Sequence, residues 1–270
     1  MHKSIAIDGP CAAGKTTLAK CLAKHLGFTY VNTGSLYRAI AALYLKDSTK
    51  TVPEILKDFH VEFNGDEVIV NGSTIPEAVL RAPETARAVS DLSAMPEVRV
   101  ALLDIQRGYA ERADVVMEGR DIGTVILPHA TLKLFLTASE KKRAMRRTMQ
   151  LYPNDWDDKE LQAKVLQSIH ERDENDSHRE VAPLRKAYDA VELNNTVLDI
   201  PDTLYKALDI WERKVAYKFK EGDSVRAGEL EGYIIEVKKN RVYVVRLSDE
   251  ECAWNDEYFE DDLEPITPNR

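Results

Sequence analysis

A phosphate-binding pattern lies near the start of the chain. Gly9 and Gly14 bracket four residues, and Lys15 and Thr16 follow them directly, which gives G-x-x-x-x-G-K-[ST]. The glycines let the backbone curl so that successive N–H groups face inward on a phosphate. At this spacing a lysine reaches the β- and γ-phosphates of a nucleoside triphosphate, and a threonine hydroxyl sits on Mg²⁺. The pattern therefore predicts a loop that binds a triphosphate.

The segments on either side of the loop suit this interpretation. Residues 5–7 are an apolar run typical of a buried strand, and Leu18, Leu22 and Leu26 recur at a helical period that Gly27 closes. A strand before the loop and a helix after it place the positive end of the helix at the phosphates. A chance match to the motif is the weaker interpretation.

Composition narrows the classes of partner. The 270 residues carry a net charge of −9, with 31% charged and 44% hydrophobic residues. The negative sign argues against nonspecific binding to nucleic acid or to anionic membranes. Three cysteines without a C-x-x-C pair predict no disulfide framework and no zinc site. Because the chain shows no signal peptide and no apolar run of spanning length, we expect a cytoplasmic protein.

A second group of polar residues follows a short strand predicted at residues 28–31. Ser35, Tyr37 and Arg38 lie within four residues at the carboxyl end of that strand. Open α/β sheets bind ligands at this edge, so the group suits a second anionic ligand. A helix cap followed by surface residues is the alternative.

A third group ends the strand predicted at residues 113–118. Glu118 is its last residue, and a carboxylate at this place beside a phosphate-binding loop is a candidate for the water shell of Mg²⁺. Arg120 and Asp121 follow between two glycines, as in a turn that contacts a ligand. Alternatively, the two residues only neutralise each other.

Two polar segments later in the chain could approach phosphates. Residues 140–150 predict a basic helix, which is most often a solvated face but could pack in part near the nucleotide base or phosphates. Residues 171–179 are too polar to bury and carry Arg172 and Arg179 seven residues apart. Such a segment suits a lid that closes over a reaction. A solvated helix end is the alternative.

The order of predicted elements indicates two domains, residues 1–214 and 215–270. The first alternates strands and helices, which predicts an α/β fold around a parallel sheet of five strands, the last at residues 196–199. Residues from about 47 to 82 break the alternation and are interpreted as an insertion that contains a small hairpin. From residue 219 short β runs alternate with turns, which predicts a small all-β unit, best interpreted as an open barrel.

Four motifs, in this order, resemble those of the bacterial cytidylate kinases, a branch of the nucleoside monophosphate kinases. They are the phosphate-binding loop, Thr-Gly-Ser-Leu-Tyr-Arg, Glu-Gly-Arg-Asp-Ile-Gly-Thr-Val, and Arg-Asp-x-x-Asp-x-x-Arg-x-x-Ala-Pro-Leu. The resemblance covers most of residues 3–213. It implies a P-loop NTPase fold with a monophosphate-binding insertion, a helical lid at about residues 152–183, and transfer of the γ-phosphate of ATP to CMP or dCMP with Mg²⁺ as cofactor.

The resemblance also implies roles for individual residues. The ATP phosphates would lie on Gly9, Pro10, Cys11, Ala12, Ala13, Gly14, Lys15, Thr16 and Thr17. The CMP or dCMP would be held by Ser35, Tyr37, Arg38, Ser90, Arg99, Arg120, Asp121, Asp176 and Arg179. The negative charge of the transferring phosphoryl group would be neutralised by Lys15, Arg120, Arg172 and Arg179. Mg²⁺ would be bound by Thr16 and Glu118. Asp121 suits cytosine, because a carboxylate accepts from the N4 amino group that uracil lacks.

Two features depart from the family pattern and leave alternatives open. Asn175 and Ser177 stand where similar lids carry further arginines, which predicts slower turnover or an altered donor preference. The C-terminal unit resembles SH3-like or Tudor-like small barrels, and its acidic balance disfavours nucleic acid. Residues 219–270 could contact a protein partner, mediate self-association or be a passive appendage. The remaining alternatives are a kinase for another monophosphate (UMP, dTMP) or small acceptor, and a catalytically weak nucleotide-binding regulatory protein.

Overall fold

The computed structural model describes residues 2–47, 49–64, 67–215, 223–228, 230–238, 242–248, 253–259 and 262–265. The chain divides into two compact units, Met1–Trp211 and Glu212–Arg270. The segment for which we predict a barrel and a partner contact, residues 219–270, lies partly outside the described residues. No helix in the described part of the chain is both long enough and apolar enough to cross a membrane.

The first unit alternates strands and helices, with one break after α2. Its elements in chain order are β1 (Ser4–Asp8), α1 (Lys15–Leu26), β2 (Thr29–Asn32), α2 (Thr33–Lys46), α3 (Val52–Lys57), β3 (Val61–Asn64), β4 (Glu67–Val70), β5 (Ser73–Ile75), α4 (Glu77–Leu80), α5 (Pro83–Leu92), α6 (Pro96–Arg112), β6 (Val115–Gly119), β7 (Leu132–Thr137), α7 (Glu140–Leu151), α8 (Lys159–His178), β8 (Val191–Asn194) and α9 (Ile200–Val215). A single π-helical turn, Ile122–Ile126, follows β6.

The core of this unit is a sheet of five parallel strands in the order β2-β6-β1-β7-β8. Strand β1 is central and all five of its residues are buried. A strand covered on both faces needs an unbroken apolar run, which explains why residues 5–7 are uniformly apolar. The predicted five-stranded α/β fold is confirmed.

The position predicted for the last strand is wrong. The fifth strand is β8, whereas Thr196 and the residues after it form a turn before α9. The Asn194 side chain accepts hydrogen bonds from the Thr196 N–H at 3.0 Å and from its hydroxyl at 2.7 Å. A short polar side chain that bonds to the backbone two residues later competes with a strand ladder. Val197, which favoured a strand by type, is 90% exposed.

The break in alternation is a separate antiparallel sheet of three strands, β3-β4-β5. Its inward residues Val68 and Val70 share an apolar core with Leu36 and Ile40 of α2 and with Leu102 of α6. The insertion therefore packs on the same helix that carries Tyr37 and Arg38.

After the last residues of α9, the second unit contains an antiparallel sheet whose described strands are β9 (Ser224–Ala227), β10 (Leu230–Lys238), β11 (Val242–Ser248), β12 (Ala253–Phe259) and β13 (Glu264–Pro265). Their order is β12-β11-β10-β9-β13. Its apolar cluster of buried side chains includes Val225, Ile234, Tyr243, Val245 and Leu263. A small all-β unit at the C-terminus is confirmed.

Candidate active site

A cleft of about 1400 Å³ lies in the first unit. Residues that follow β1, β2, β6 and β8 line it, so it opens at the carboxyl ends of the parallel strands. This is the edge at which open α/β sheets bind ligands. The cleft is lined by both the phosphate-binding loop and the Arg120–Asp121 turn.

The phosphate-binding loop requires glycine at two positions. Gly9 has φ 150° and Gly14 has φ 97°, both in the region that side chains disfavour. A Cβ on Gly9 would lie 2.0 Å from the carbonyl oxygen of Leu136 at the end of β7. The loop is also supported from β8, because the Asn195 amide donates to the carbonyl of Ala13 at 3.0 Å.

Lys15 is a buried cation folded onto its own loop. Its Nζ donates to the carbonyl oxygens of Gly9 and Pro10, each at 2.8 Å. Burial, reinforced by the positive charge of Arg120, lowers the pKa of Lys15 to about 7. An anionic phosphate beside Nζ favours the charged form, so triphosphate binding is expected to raise this pKa again.

We expect ATP binding to take up nearly one proton at about pH 8 and little at about pH 6. At the higher pH the Lys15 pKa of about 7 leaves the free amine mostly neutral, and the bound phosphates restore its proton. Calorimetry in buffers of different ionisation enthalpy measures the uptake. Lys15→Met should abolish the proton uptake. Equal uptake at both pH values would contradict the assignment of the proton to Lys15.

Thr16 and Glu118 are in contact in the lining of the cleft. The Thr16 hydroxyl donates to Oε1 of Glu118 at 2.6 Å, and the Tyr30 hydroxyl donates to the same oxygen at 2.8 Å. Thr16 is exposed while Glu118 is buried. A hydroxyl and a carboxylate are hard oxygen donors of the kind that Mg²⁺ prefers, so these residues fit a magnesium ion carried by ATP.

Asp8 supports the site from the buried end of β1, and no role was assigned to it from the sequence. Its carboxylate accepts the N–H groups of Ile122 and Gly123, each at 2.8 Å. Burial raises the pKa of Asp8 to about 6, although these two hydrogen bonds oppose the shift. Asp8 thereby fixes the turn that carries Arg120 and Asp121. Its signal was a charged residue ending an apolar strand, the same signal that identified Glu118.

Arg120 and Asp121 do not neutralise each other. Arg120 Nε donates to Oδ2 of Asp176 on α8 at 2.7 Å. Asp121 is buried and pairs with Arg99 and, at 3.4 Å, with Arg179. Burial, the largest single influence, opposes the charge on Arg120, but the anionic groups around it, Asp176 first, together raise the pKa of the guanidinium. The turn is thus joined to both α6 and α8.

Ser35, Tyr37 and Arg38 all line the cleft. The cap of α2 is Asn32, whose side chain accepts the Ser35 N–H at 3.2 Å. Arg38 donates to the Leu80 carbonyl at 2.9 Å. Burial, then the cationic Arg172 and Arg147, lower the pKa of Arg38 to about 10. Like charges gathered around a cleft favour an anion between them.

Most of the remaining predicted residues line the cleft, but Ser90 does not. Tyr37 is buried beside Arg99, whose guanidinium carbon is 5.7 Å from the ring centroid. Ser90 is exposed on α5 and is not among the residues that line the cleft, whereas Val89 and Ser93 on either side are. Arg172, Asp176 and Arg179 line it from α8 and the residue after it; Asn175 and Ser177 do not.

Part of the basic helix α7 belongs to the site. Arg143 is buried, Arg146 donates to the Asn195 side chain at 3.0 Å, and Arg147 lines the cleft. The solvated-face interpretation is wrong for these three residues, because Arg143 donates to the Cys11 carbonyl of the loop and Arg146 and Arg147 line the cleft. That they lie near a nucleotide stays a prediction. Their spacing of three and four positions, which places them on one face, was the available signal.

The parallel sheet, the loop after β1 and the cleft lined by further arginines define the fold and site of a P-loop kinase. A family model described as "Cytidylate kinase" matches residues 5–213. The chain belongs to the cytidylate kinase family. Residues 214–270 lie outside the match.

Individual relatives carry the same description. A cytidylate kinase of Fervidobacterium nodosum is 41% identical over 223 residues, which are 81% of this chain and 100% of the relative. Cytidylate kinases of Carboxydothermus hydrogenoformans and Ligilactobacillus salivarius are 39% and 40% identical, each over 78% of this chain and 97% and 96% of their own lengths. The match therefore spans nearly the whole of these relatives.

Proposed function

We propose that the cleft transfers the γ-phosphoryl group of ATP to CMP or dCMP, giving ADP and CDP or dCDP. Membership of the cytidylate kinase family supports this activity. The observation that carries it is one cleft lined by Lys15 of the phosphate-binding loop and by the Arg120–Asp121 turn. A donor held at the loop thus faces a second nucleotide held at the turn.

The reaction needs no covalent intermediate. Phosphoryl transfer is catalysed mainly by holding two nucleotides in line and neutralising charge on the transferring group. Lys15, Arg120, Arg172 and Arg179 are the cations assigned to this role, and all four line the cleft. When bound with ATP, Mg²⁺ supplies further positive charge at the phosphates, and Thr16 and Glu118 are the residues that would hold it.

The acceptor is assigned to the lining residues that lie outside the phosphate-binding loop. Its phosphate is placed against Ser35, Arg38 and Arg120, near Tyr37. The sugar is placed against Asp176 and Arg179. The cytosine edge is placed against Asp121 and Arg99, with Ser90 assigned by family resemblance alone, because its side chain is exposed. The buried ion pair of Asp121 with Arg99 supports this, since a preset carboxylate can accept from the cytosine amino group.

Asp121→Asn is expected to reduce the preference for CMP over UMP by about 10- to 100-fold, the worth of one base-reading pair. The carboxylate that accepts from the N4 amino group becomes an amide that can donate to the uracil O4. The ratio of kcat/KM for the two nucleotides measures the effect.

Asp176→Asn is the matched control. It removes a second acid of the cleft that pairs with arginine, a partly buried one assigned to the sugar, which CMP and UMP share. It should lower kcat/KM for both nucleotides alike. A CMP preference unchanged in Asp121→Asn would remove the cytosine-reading assignment.

The whole proposal is tested by assaying ADP release with CMP, dCMP, UMP and dTMP. CMP and dCMP should be preferred. A clear preference for UMP or dTMP would favour a different acceptor at the same site. ATP binding without turnover on any monophosphate would favour the regulatory alternative.

For the second unit we propose a contact with a protein partner or with a second copy of the chain. The supporting observation is its exposed Tyr233, which is 50% exposed on β10, beside Ile235. Sedimentation equilibrium of the full chain distinguishes self-association from a monomer that could bind another protein.

A further inference from the structure

We propose that Asp173 is a positioning residue that joins the helix α8 to the phosphate-binding loop and thereby places Arg172 over the transferring phosphate. The inference rests on the proposed function and deepens it. Asp173 lies outside the groups assigned above to either nucleotide.

The Asp173 carboxylate contacts the loop directly. Its Oδ1 accepts the N–H of Cys11 at 2.9 Å, and its Oδ2 accepts from Nη1 of Arg143. Only 16% of the Asp173 side chain is exposed. Hydrogen bonds to an ionised group are about twice as strong as neutral ones, and partial burial limits screening by solvent.

Arg143 completes the junction. Its Nε donates to the carbonyl of Ala138, just after β7, at 3.0 Å, and its Nη1 donates to the carbonyl of Cys11 at 3.0 Å. Its side chain is 5% exposed. The Cys11 residue is therefore held at both ends, its N–H by Asp173 and its carbonyl by Arg143. Three segments, the end of β7, the loop and α8, meet at one guanidinium.

Apolar packing fixes the same face of α8 against the same loop. Ala12 packs against a small cluster of Ala144 from α7 and Val165 and Ile169 from α8. Asp173 lies four residues after Ile169, so it continues that face by one helical turn. The apolar cluster and the charged junction together fix the position and the rotation of α8 relative to the loop.

Arg172 is the residue whose position depends on this junction. It lines the cleft and forms no ion pair with any residue that the structure describes, unlike Arg120 and Arg179. Since no ion pair with a described residue fixes its guanidinium, we infer that its place follows the backbone of α8, and Asp173 is the next residue along that backbone. A shift of about 1 Å in a group that positions a reaction can cost about 10²-fold in rate.

The first test is Asp173→Asn. We expect kcat for CMP to fall about 10- to 100-fold while KM for ATP and CMP changes by less than about threefold. Glu174→Gln is the matched control, because Glu174 is the neighbouring acid on the same helix but is exposed. It should behave like the wild type.

A double-mutant cycle separates positioning from a general loss of structure. If Asp173 acts through Arg172, Asp173→Asn should cost less than about threefold in kcat when Arg172 is already alanine. Multiplicative losses in the double variant would overturn the proposal. So would a folded Asp173→Asn variant that keeps wild-type kcat.

Hydrogen exchange supplies a readout that does not depend on activity. ATP binding at the loop should slow amide exchange in residues 169–178 of the wild type and of Glu174→Gln, but not of Asp173→Asn.

Asp173→Glu retains the charge and is used if the asparagine variant fails to fold. Its longer side chain should preserve stability but still lower kcat. Protection of α8 that survives Asp173→Asn would overturn the junction. A wild type that protects α8 but phosphorylates no monophosphate would overturn the proposed function instead.

Discussion

Lys15→Met is expected to lower kcat for phosphoryl transfer by about 10²- to 10³-fold, the usual cost of removing one preorganised donor to a developing charge. The lysine is aimed at the loop interior, where its Nζ lies 2.8 Å from the carbonyls of Gly9 and Pro10. A phosphate entering the loop exchanges these neutral acceptors for anionic ones. Methionine has a similar length but neither donor nor charge, so the loop keeps its shape and loses its cation.

The measurement is steady-state kcat and KM with CMP as acceptor, alongside thermal unfolding. Lys24→Met is the control, because Lys24 is an exposed lysine on the same helix α1. It should leave kcat unchanged. We expect Lys15→Met to remain folded, since burial already disfavours its ammonium and lowers its pKa to about 7. Retention of more than about a tenth of wild-type kcat would contradict the role assigned to Lys15.

The donor half of the cleft was predictable from sequence because its residues are local. Gly9, Gly14, Lys15 and Thr16 lie within eight positions. The strand before them is an unbroken apolar run, and the helix after them has apolar residues at a helical period. Each feature constrains the next: a buried strand, a turn that needs glycine, and a helix whose first amides face the phosphate. The structure of such a segment can therefore be predicted from its own residues.

The connections between the two halves were not predictable in the same way. Arg120 meets Asp176 across 56 positions of the chain, and Cys11 meets Asp173 across 162. No period or spacing in the sequence records such pairs, because they depend on how α8 packs. The choice between an Arg120–Asp121 pair and a ligand-reading turn stayed open for that reason. The strand at residues 191–194 was missed because three of its four residues are exposed.

Several cationic side chains line the cleft, and acidic partners offset only part of the repulsion between them. Burial lowers the pKa of Arg38, and the positive charge of Arg172 lowers it further. Burial raises the pKa of the Cys11 thiol, but the surrounding cations, Arg172 first among them, lower it overall. Asp176 and Asp121 partly offset this repulsion by pairing with Arg120, Arg99 and Arg179. Phosphates brought by two nucleotides would relieve the remainder. Binding energy from both nucleotides is thus available for ordering the cleft around the reactants.

The second large effect is expected from Gly9→Ala, which should lower the free energy of unfolding by about 2–5 kcal/mol and abolish ATP binding. The added Cβ would lie 2.0 Å from the Leu136 carbonyl oxygen, a backbone atom of β7 that cannot move without disturbing the sheet. The φ of 150° adds strain for any side chain. Urea denaturation measures the stability, and calorimetric titration with ATP measures the binding.

Gly27→Ala separates the two causes. Gly27 also has a positive φ, 70°, but no atom lies within 4 Å of its would-be Cβ. It should cost only about 1 kcal/mol, the price of the left-handed backbone alone, and leave ATP binding intact. A Gly9→Ala variant no less stable than Gly27→Ala would mean that the loop does not press against β7. Because Leu136 and Ala138 flank the end of β7, the same contact connects the loop to the segment that Arg143 holds, so a displaced loop should also loosen α8.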